Sequence, residues 1–199
     1  MKIGIITFHA SHNCGSMLQA YALCKVLRDE YHQDAELIDF SNSGSRQMYS
    51  LWNNKMFYRS GRPIMNVLKT NVSNLFHYKA VKSVMDDYED FSSKYLPKSK
   101  GTYKNTKQLK GIEQNYDMLI SGGDQVWNIC CTDADDAYFL SFAHNVKKAA
   151  YSPSLGAMNI LKYAKNPNKY RKYLLDYDFL SVRELNGQKW LKELVGEEV

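Results

Sequence analysis

The apolar residues of this chain fall into short continuous runs and helical stripes that alternate from the N-terminus. Ile3 to Phe8 is an unbroken β-favouring run, the pattern of a strand buried on both faces of a parallel sheet. A polar turn, HASHNCGS, follows. Met17, Leu18, Tyr21, Leu23, Cys24 and Leu27 then recur at helical spacing, with Ser16 placed as an N-cap. AELIDF at 35–40 reads as a second strand. The opening is therefore a right-handed, Rossmann-like β-loop-α-β unit.

The alternation lapses between 41 and about 115. There Leu51, Phe57, Tyr58, Val67, Leu75, Val84 and Phe91, among others, sit at loosely helical spacing with Pro63 and Pro97 as breaks, which predicts an insertion of two or three helices. Alternation resumes at Tyr116. A strand over 117–121, a glycine turn and an acidic loop come first, then YFLSF at 138–142 and a strand over 147–156. A helix over roughly 160–175, a strand FLSVR at 179–183 and a helix from Glu184 complete the order. The pattern predicts an α/β fold with four or five parallel strands and helices on both faces. Residues 1–183 are read as a Rossmann-like N-terminal domain and 184–199 as a connecting helix. Gly196 has the place of a helix stop where an α/β pattern would next supply a strand, so a further domain is expected beyond it.

Composition narrows the classes. A chain of 199 residues, 44% hydrophobic, can bury a real core in one domain or little more. Its formal charge is +5, but residues 41–116 hold 13 basic and 5 acidic side chains, net +8, while the remainder is net −3. The basic side chains are scattered singly, as on a solvated helical face, which argues against a nucleic-acid partner. An anionic glycan or a lipid-linked sugar suits so weak a positive field equally well. Cys14, Cys24, Cys130 and Cys131 make neither a zinc pattern nor a disulfide framework, which favours a reduced, cytoplasmic setting. No apolar run is long enough for a signal segment or a membrane span, so membrane contact is peripheral at most.

The candidate chemistry lies in the turns. SGGDQVWN, 121–128, follows a short apolar run and presents an acid, an amide and an indole where an open α/β sheet places its ligands. Gly122 and Gly123 let backbone approach closely. Asn13, Gly15 and Ser16 sit where the first helix begins, and free N–H groups there favour an anion or a hydroxyl. The absence of G-x-G-x-x-G argues against a dinucleotide. Ser154 lacks the surroundings of a nucleophile elbow. No metal is expected: His9, His12 and Cys14 lack a fourth ligand, and Asp133, Asp135 and Asp136 read as a solvated turn.

Several of these segments together resemble the polysaccharide pyruvyl transferases: KIGIITFH, Asn13 and Gly15 with LQAYAL, YDMLISGGDQVWN, YFLSF, KKAAYSPSLG, and SVRE with Gly187. They run in the family's order over nearly the whole chain. The departures are Cys14, where the family commonly has an aromatic, and Ser152-Pro153, where small residues are usual. The resemblance implies one half of a GT-B-like two-domain architecture. It also implies transfer of the pyruvyl unit of phosphoenolpyruvate, a donor substrate with no cofactor, to two hydroxyls of a sugar as a ketal. The setting would be exopolysaccharide, capsule or cell-wall glycan assembly. A glycan or lipid-linked sugar would be the acceptor, and a C-terminal domain or second chain would complete the site, without which this chain is expected to be inactive.

That chemistry suggests roles. Arg183, at a predicted strand tip, would grip phosphate or carboxylate through its planar fork; the alternative is an ion pair with Glu184. Asp124 would take a proton from a hydroxyl or hold sugar hydroxyls with Gln125, while Trp127 offers a flat face to the ring. Alternatively Asp124 caps a helix and Trp127 packs in the core. Ser154, Gly156 and Glu184 belong to the family's matching segments and are assigned to substrate binding. A GT-B-like glycosyltransferase using a nucleotide sugar and a non-catalytic glycan-binding module are the rival functions.

Overall fold

Ile3, Ile5 and Ile6 are at most 2% exposed, and a strand so apolar on both faces belongs in the middle of a sheet. The structure, a computed structural model, describes residues 1–52 and 64–196. Five strands, β1 (Lys2–Ile6), β2 (Asp34–Phe40), β3 (Lys98–Tyr103), β4 (Met118–Gly122) and β5 (Lys147–Tyr151), lie in the order β3-β2-β1-β4-β5, all parallel. β1 pairs with β2 through Ile3↔Ala35 and with β4 through Ile5↔Ile120. The chain therefore winds outward from β1 in both directions. The crevice beyond the carboxyl ends of β1 and β4 is the topological switch point, where such sheets bind ligands.

The helices among the described residues are α1 (Cys14–Asp29), α2 (Ser43–Met48), α3 (Ile64–Phe76), α4 (Tyr78–Tyr95), α5 (Ile160–Tyr163), α6 (Pro167–Leu174) and α7 (Leu185–Val195). Period-two alternation divides the strand side chains between two cores. Ile3, Ile5, Leu37 and Ile120 pack with Met17, Ala20 and Cys24 of α1 and with Tyr88 and Phe91 of α4. Ile6, Ile38, Phe40 and Leu119 pack on the other face with Trp127, Tyr138, Leu174, Leu191 and Leu194. Helices thus cover both faces.

The structure departs from the sequence reading in several elements. α1 begins at Cys14 because Asn13, in extended backbone, accepts from Ser16 N at 3.2 Å; Asn13, not Ser16, is the N-cap. β3, within the stretch read as helical, is a sheet strand. Its sequence KSKGTY is polar because it is an edge strand whose residues are all partly exposed. β5 stops at Tyr151, since Ser152 turns into the left-handed region at φ 49 and Pro153 follows. FLSVR forms no strand. It runs beside β5 with a single bridge, Ala149↔Phe179, because Ser181 Oγ accepts from Ser152 N at 3.0 Å and donates to Ala150 O at 2.7 Å, taking the ladder's place. YFLSF enters as the end of a 3-10 turn over Asp136–Phe139, stopped by Leu140 at φ 52. The helix expected over 160–175 is two, α5 and α6, broken before Pro167. Phe57, Tyr58 and Pro63, and the chain beyond Gly196, lie outside the described residues.

Candidate functional site at the switch point

β1 and β4 end side by side, and the residues that follow are stitched together. Thr7, fully buried, donates from Oγ1 to Gly122 O at 2.5 Å. Gln19, one turn into α1, donates from Nε2 to Thr7 Oγ1 and Ser16 O, both at 2.9 Å. Its Oε1 has no hydrogen-bond partner. Gly123 lies at φ +70, and a Cβ there would fall 1.9 Å from that oxygen. Only glycine allows the turn after β4 to pass so close to α1.

Asp124 is carried by that turn to the first turn of α1. Its Oδ2 accepts from Ser16 Oγ at 2.5 Å and its Oδ1 from Gln125 N at 2.7 Å. A carboxylate beside a helix N-terminus is favoured by the helix dipole and its free N–H groups. No helix follows Asp124, so it joins two loops rather than capping one. Its backbone O accepts from Ser154 N at 2.8 Å, which brings the tip of β5 against the same turn. Ser154 Oγ in turn donates to Glu184 Oε1 and accepts from Gly156 N at 3.0 Å. Arg183 N donates to Pro153 O at 3.2 Å. One chain of hydrogen bonds therefore runs from Ser16 through Asp124 and Ser154 to Glu184, with Arg183 next in sequence.

The expected site residues consequently gather, with one exception. Asn13 and Gly15 are exposed beside Ser16, Gln125 is exposed beyond Asp124, and Gly156 lies against the Gln125 and Asn128 amides. Arg183 is exposed and makes no ion pair with a described residue. Glu184 turns away to Ser154, and its Oε2 is buried without a partner. Trp127 is the exception. It is 0% exposed, stacked on Phe139 at 5.3 Å, with Nε1 donating to Tyr138 O at 3.0 Å. An indole so enclosed packs the core and offers no face to a sugar.

A second carboxylate shapes the field. Asp133 is 6% exposed, and burial, aided by the Asp124 charge, pushes its carboxyl up against the pull of its own N–H. Burial, then Asp133 and Asp124, likewise raises the Tyr49 phenol. The Asp124 side of the crevice is thus acidic. His9, His12 and Cys14 separate: His9 lies between Thr7 O and Asp39, His12 meets Glu89 at 3.0 Å and Cys14 meets Tyr88 OH at 3.1 Å. Asp135 accepts from Thr106 Oγ1 and Asp136 from Lys169. Among the described residues no group of three or more His, Cys, Asp and Glu could hold a metal ion. Gln19, Thr7 and Asp133 are the members that sequence reasoning missed. Gln19 left one signal, an amide one turn after Ser16 on the helix that carries the first loop.

Fold and site together define a Rossmann-like α/β protein whose polar side chains collect at the switch point of a parallel sheet. The family model for polysaccharide pyruvyl transferases matches residues 13–195, and the chain belongs to that family. No curated protein and no solved structure matches it.

Proposed function

We propose that the chain supplies the acceptor side of an enzyme that moves the pyruvyl group of phosphoenolpyruvate onto two hydroxyls of a glycan, in exopolysaccharide, capsule or cell-wall assembly. The observation that carries this reading is the hydrogen-bonded line from Ser16 through Asp124 to Glu184, with Arg183, which makes no ion pair with a described residue, next in the chain. In the first step a proton reaches the methylene carbon of the enol phosphate while a sugar hydroxyl adds to the neighbouring carbon and gives up its own proton. A second hydroxyl then displaces phosphate, whose leaving oxygen takes that hydroxyl's proton, closing the ketal. Asp124 accepts the hydroxyl proton. Gln125 and Asn13 hold neighbouring hydroxyls. Arg183 binds the phosphate or carboxylate of the donor by two parallel hydrogen bonds.

Phosphoenolpyruvate carries two anionic groups, and among the described residues this network places one cation, Arg183. The remaining positive charge comes from a second α/β unit or another chain, as in a GT-B-like pair of domains. Such acceptor and donor chemistry suits a cytoplasmic protein.

The test is phosphate release from phosphoenolpyruvate with a glycan acceptor, read with mass analysis of the product. Arg183→Ala should weaken donor binding roughly 10- to 150-fold, the loss of a charge-assisted bond of about 1.5–3 kcal/mol, without altering stability. Unchanged phosphoenolpyruvate affinity in that variant rejects the assignment. Binding of a nucleoside diphosphate in its stead would move the protein to the nucleotide-sugar glycosyltransferases, and glycan binding with no turnover to a recognition module.

A further inference from the structure

Away from the crevice, α3 runs into α4 through one non-helical residue, His77, whose N–H donates to Ser73 O at 3.0 Å and whose O accepts from Val81 N at 3.0 Å, and the face of α3 leading into this bend is apolar. Leu68, Val72, Leu75 and Phe76 fall on one side of α3 at helical spacing and are 57%, 43%, 62% and 80% exposed. They continue into Tyr78 just past the bend, 44% exposed. Lys69 lines the same shallow hollow as Leu68, Val72 and Phe76. Contiguous exposed apolar surface on a water-soluble fold marks an interaction site.

Charge identifies what meets it. From Ile64 to Met85 the two helices carry Lys69, Lys79 and Lys82 and no Asp or Glu. Lys82 pairs with Asp86, while Lys69 and Lys79 make no ion pair with a described residue. An apolar stripe bordered by unpaired lysines and free of carboxylates is complementary to an anionic bilayer surface, into which such helices lie with the stripe among the acyl chains. No described helix is long and apolar enough to cross a membrane.

We propose that the exposed apolar face at the bend between α3 and α4 docks on an anionic lipid surface. α4 also ties this bend to the candidate site. His12 stacks on Tyr88 at 5.5 Å and meets Glu89, and Cys14 meets the Tyr88 hydroxyl. The ten residues from Tyr78 to Tyr88 rise about 15 Å along the helix. The first loop would thus lie within about that distance of the docked segment, in reach of a lipid-borne acceptor. That last consequence rests on the proposed function; the docking itself does not.

Flotation of the full chain with vesicles tests it, comparing equimolar phosphatidylglycerol and phosphatidylcholine with phosphatidylcholine alone. We expect binding to the anionic vesicles at least tenfold tighter, weakened by salt. The double change Leu75→Ser and Phe76→Ser leaves the charge as it was and should lower binding by about tenfold or more. Lys69→Gln with Lys79→Gln should do so by a similar factor. Leu68→Ser provides an independent variant of the same stripe, and far-ultraviolet circular dichroism checks folding. Equal binding to both vesicles, or binding indifferent to the serine variants, overturns the proposal. So does a protein that fails to float but forms a dimer that the serine variants dissolve, since the stripe is then a self-interface.

Discussion

Ser16 and Asp124, 108 positions apart in the chain, meet at 2.5 Å between hydroxyl and carboxylate. The contact joins the first turn of α1 to the turn after β4 across the gap between the two strands. It thereby decides where the acid of SGGDQVWN points. Without it the turn would still be held by Thr7 Oγ1 on Gly122 O and by backbone bonds such as Gly123 N to Tyr151 O and Ser154 N to Asp124 O, but the carboxylate would keep only Gln125 N.

The pair separates a structural from a chemical effect. Ser16→Ala removes one donor from a carboxylate that water also reaches, so unfolding should become easier by about 0.5–1.5 kcal/mol, with a modest fall in turnover. Asp124→Asn still accepts from Ser16 but cannot take a proton. It should leave the denaturation midpoint nearly unchanged and cut turnover on the order of 10²- to 10⁴-fold. Chemical denaturation beside phosphate release distinguishes the two. Equal loss of activity in both variants would show that Asp124 only positions the loop.

Gly123→Ala should be among the more damaging small substitutions. The residue is at φ +70, and the added Cβ would sit 1.9 Å from Gln19 Oε1. Gln19 cannot swing away freely, because its Nε2 holds Thr7 and Ser16. Backbone strain of about 1–3 kcal/mol is expected, with the clash added to it. In Gln19→Ala background the clash vanishes and the strain stays. A thermal-melting double-mutant cycle should therefore show positive coupling between the two sites, and additive losses would mean that the turn relaxes elsewhere.

How far the sequence foretells this arrangement depends on what each residue contacts. β1, β2 and β4 are legible because inner strands leave largely apolar runs, and α1 because its buried stripe repeats at helical spacing; β5, at the sheet's other edge with Lys147 and Tyr151 exposed, fits the alternation of elements but carries no such run. β3 is hidden. Lying at the edge, KSKGTY has no apolar signature, and its pairing depends on Asp39 N donating to Ser99 Oγ and on a register shift between Leu37 and Asp39. FLSVR misleads in the opposite sense, since its β-favouring residues run along β5 while the Ser181 hydroxyl replaces the ladder. Trp127 could have been core or platform by sequence alone. The choice was made by Phe139, Tyr177 and the Tyr138 carbonyl, none adjacent to it in the chain. Asn13, Ser16, Asp124 and Arg183 are legible as turn residues, but their joining is a property of the sheet order.

Acid should weaken the fold through Asp39. Burial opposes its ionisation, yet hydrogen bonds from His9 and Thr102 outweigh burial and hold its carboxyl below the ordinary value of 3.8. A lowered folded pKa means stability that is complete above the unfolded value and disappears as pH falls through the folded one. Asp39→Asn should accordingly cost about 1 kcal/mol near neutrality. The difference from the unaltered protein should shrink steadily below pH 3.8. Urea denaturation across that range measures it, and a gap that widened in acid would contradict the assigned direction.

Thiol reactivity should rank the four cysteines by their surroundings. Burial pushes Cys24 up to about 12, only partly offset by Arg28. It pushes Cys131 up to about 11, with Asp133 and Cys130 adding to the effect. The thiolate is the reactive form, so both should resist alkylation at neutral pH, Cys24 most because α1 seals it against the sheet at 1% exposure. Cys14 and Cys130 are exposed and should react first. Cys14 borders the first loop, beside Asn13 and in contact with Tyr88. Its alkylation should therefore slow when a ligand fills the crevice, whereas Cys130 should be indifferent. Iodoacetamide labelling with peptide mass mapping, with and without phosphoenolpyruvate and glycan, reads all four rates at once. Protection of Cys130 but not Cys14 would place the ligand on the far side of the 126–141 loop, away from Asp124.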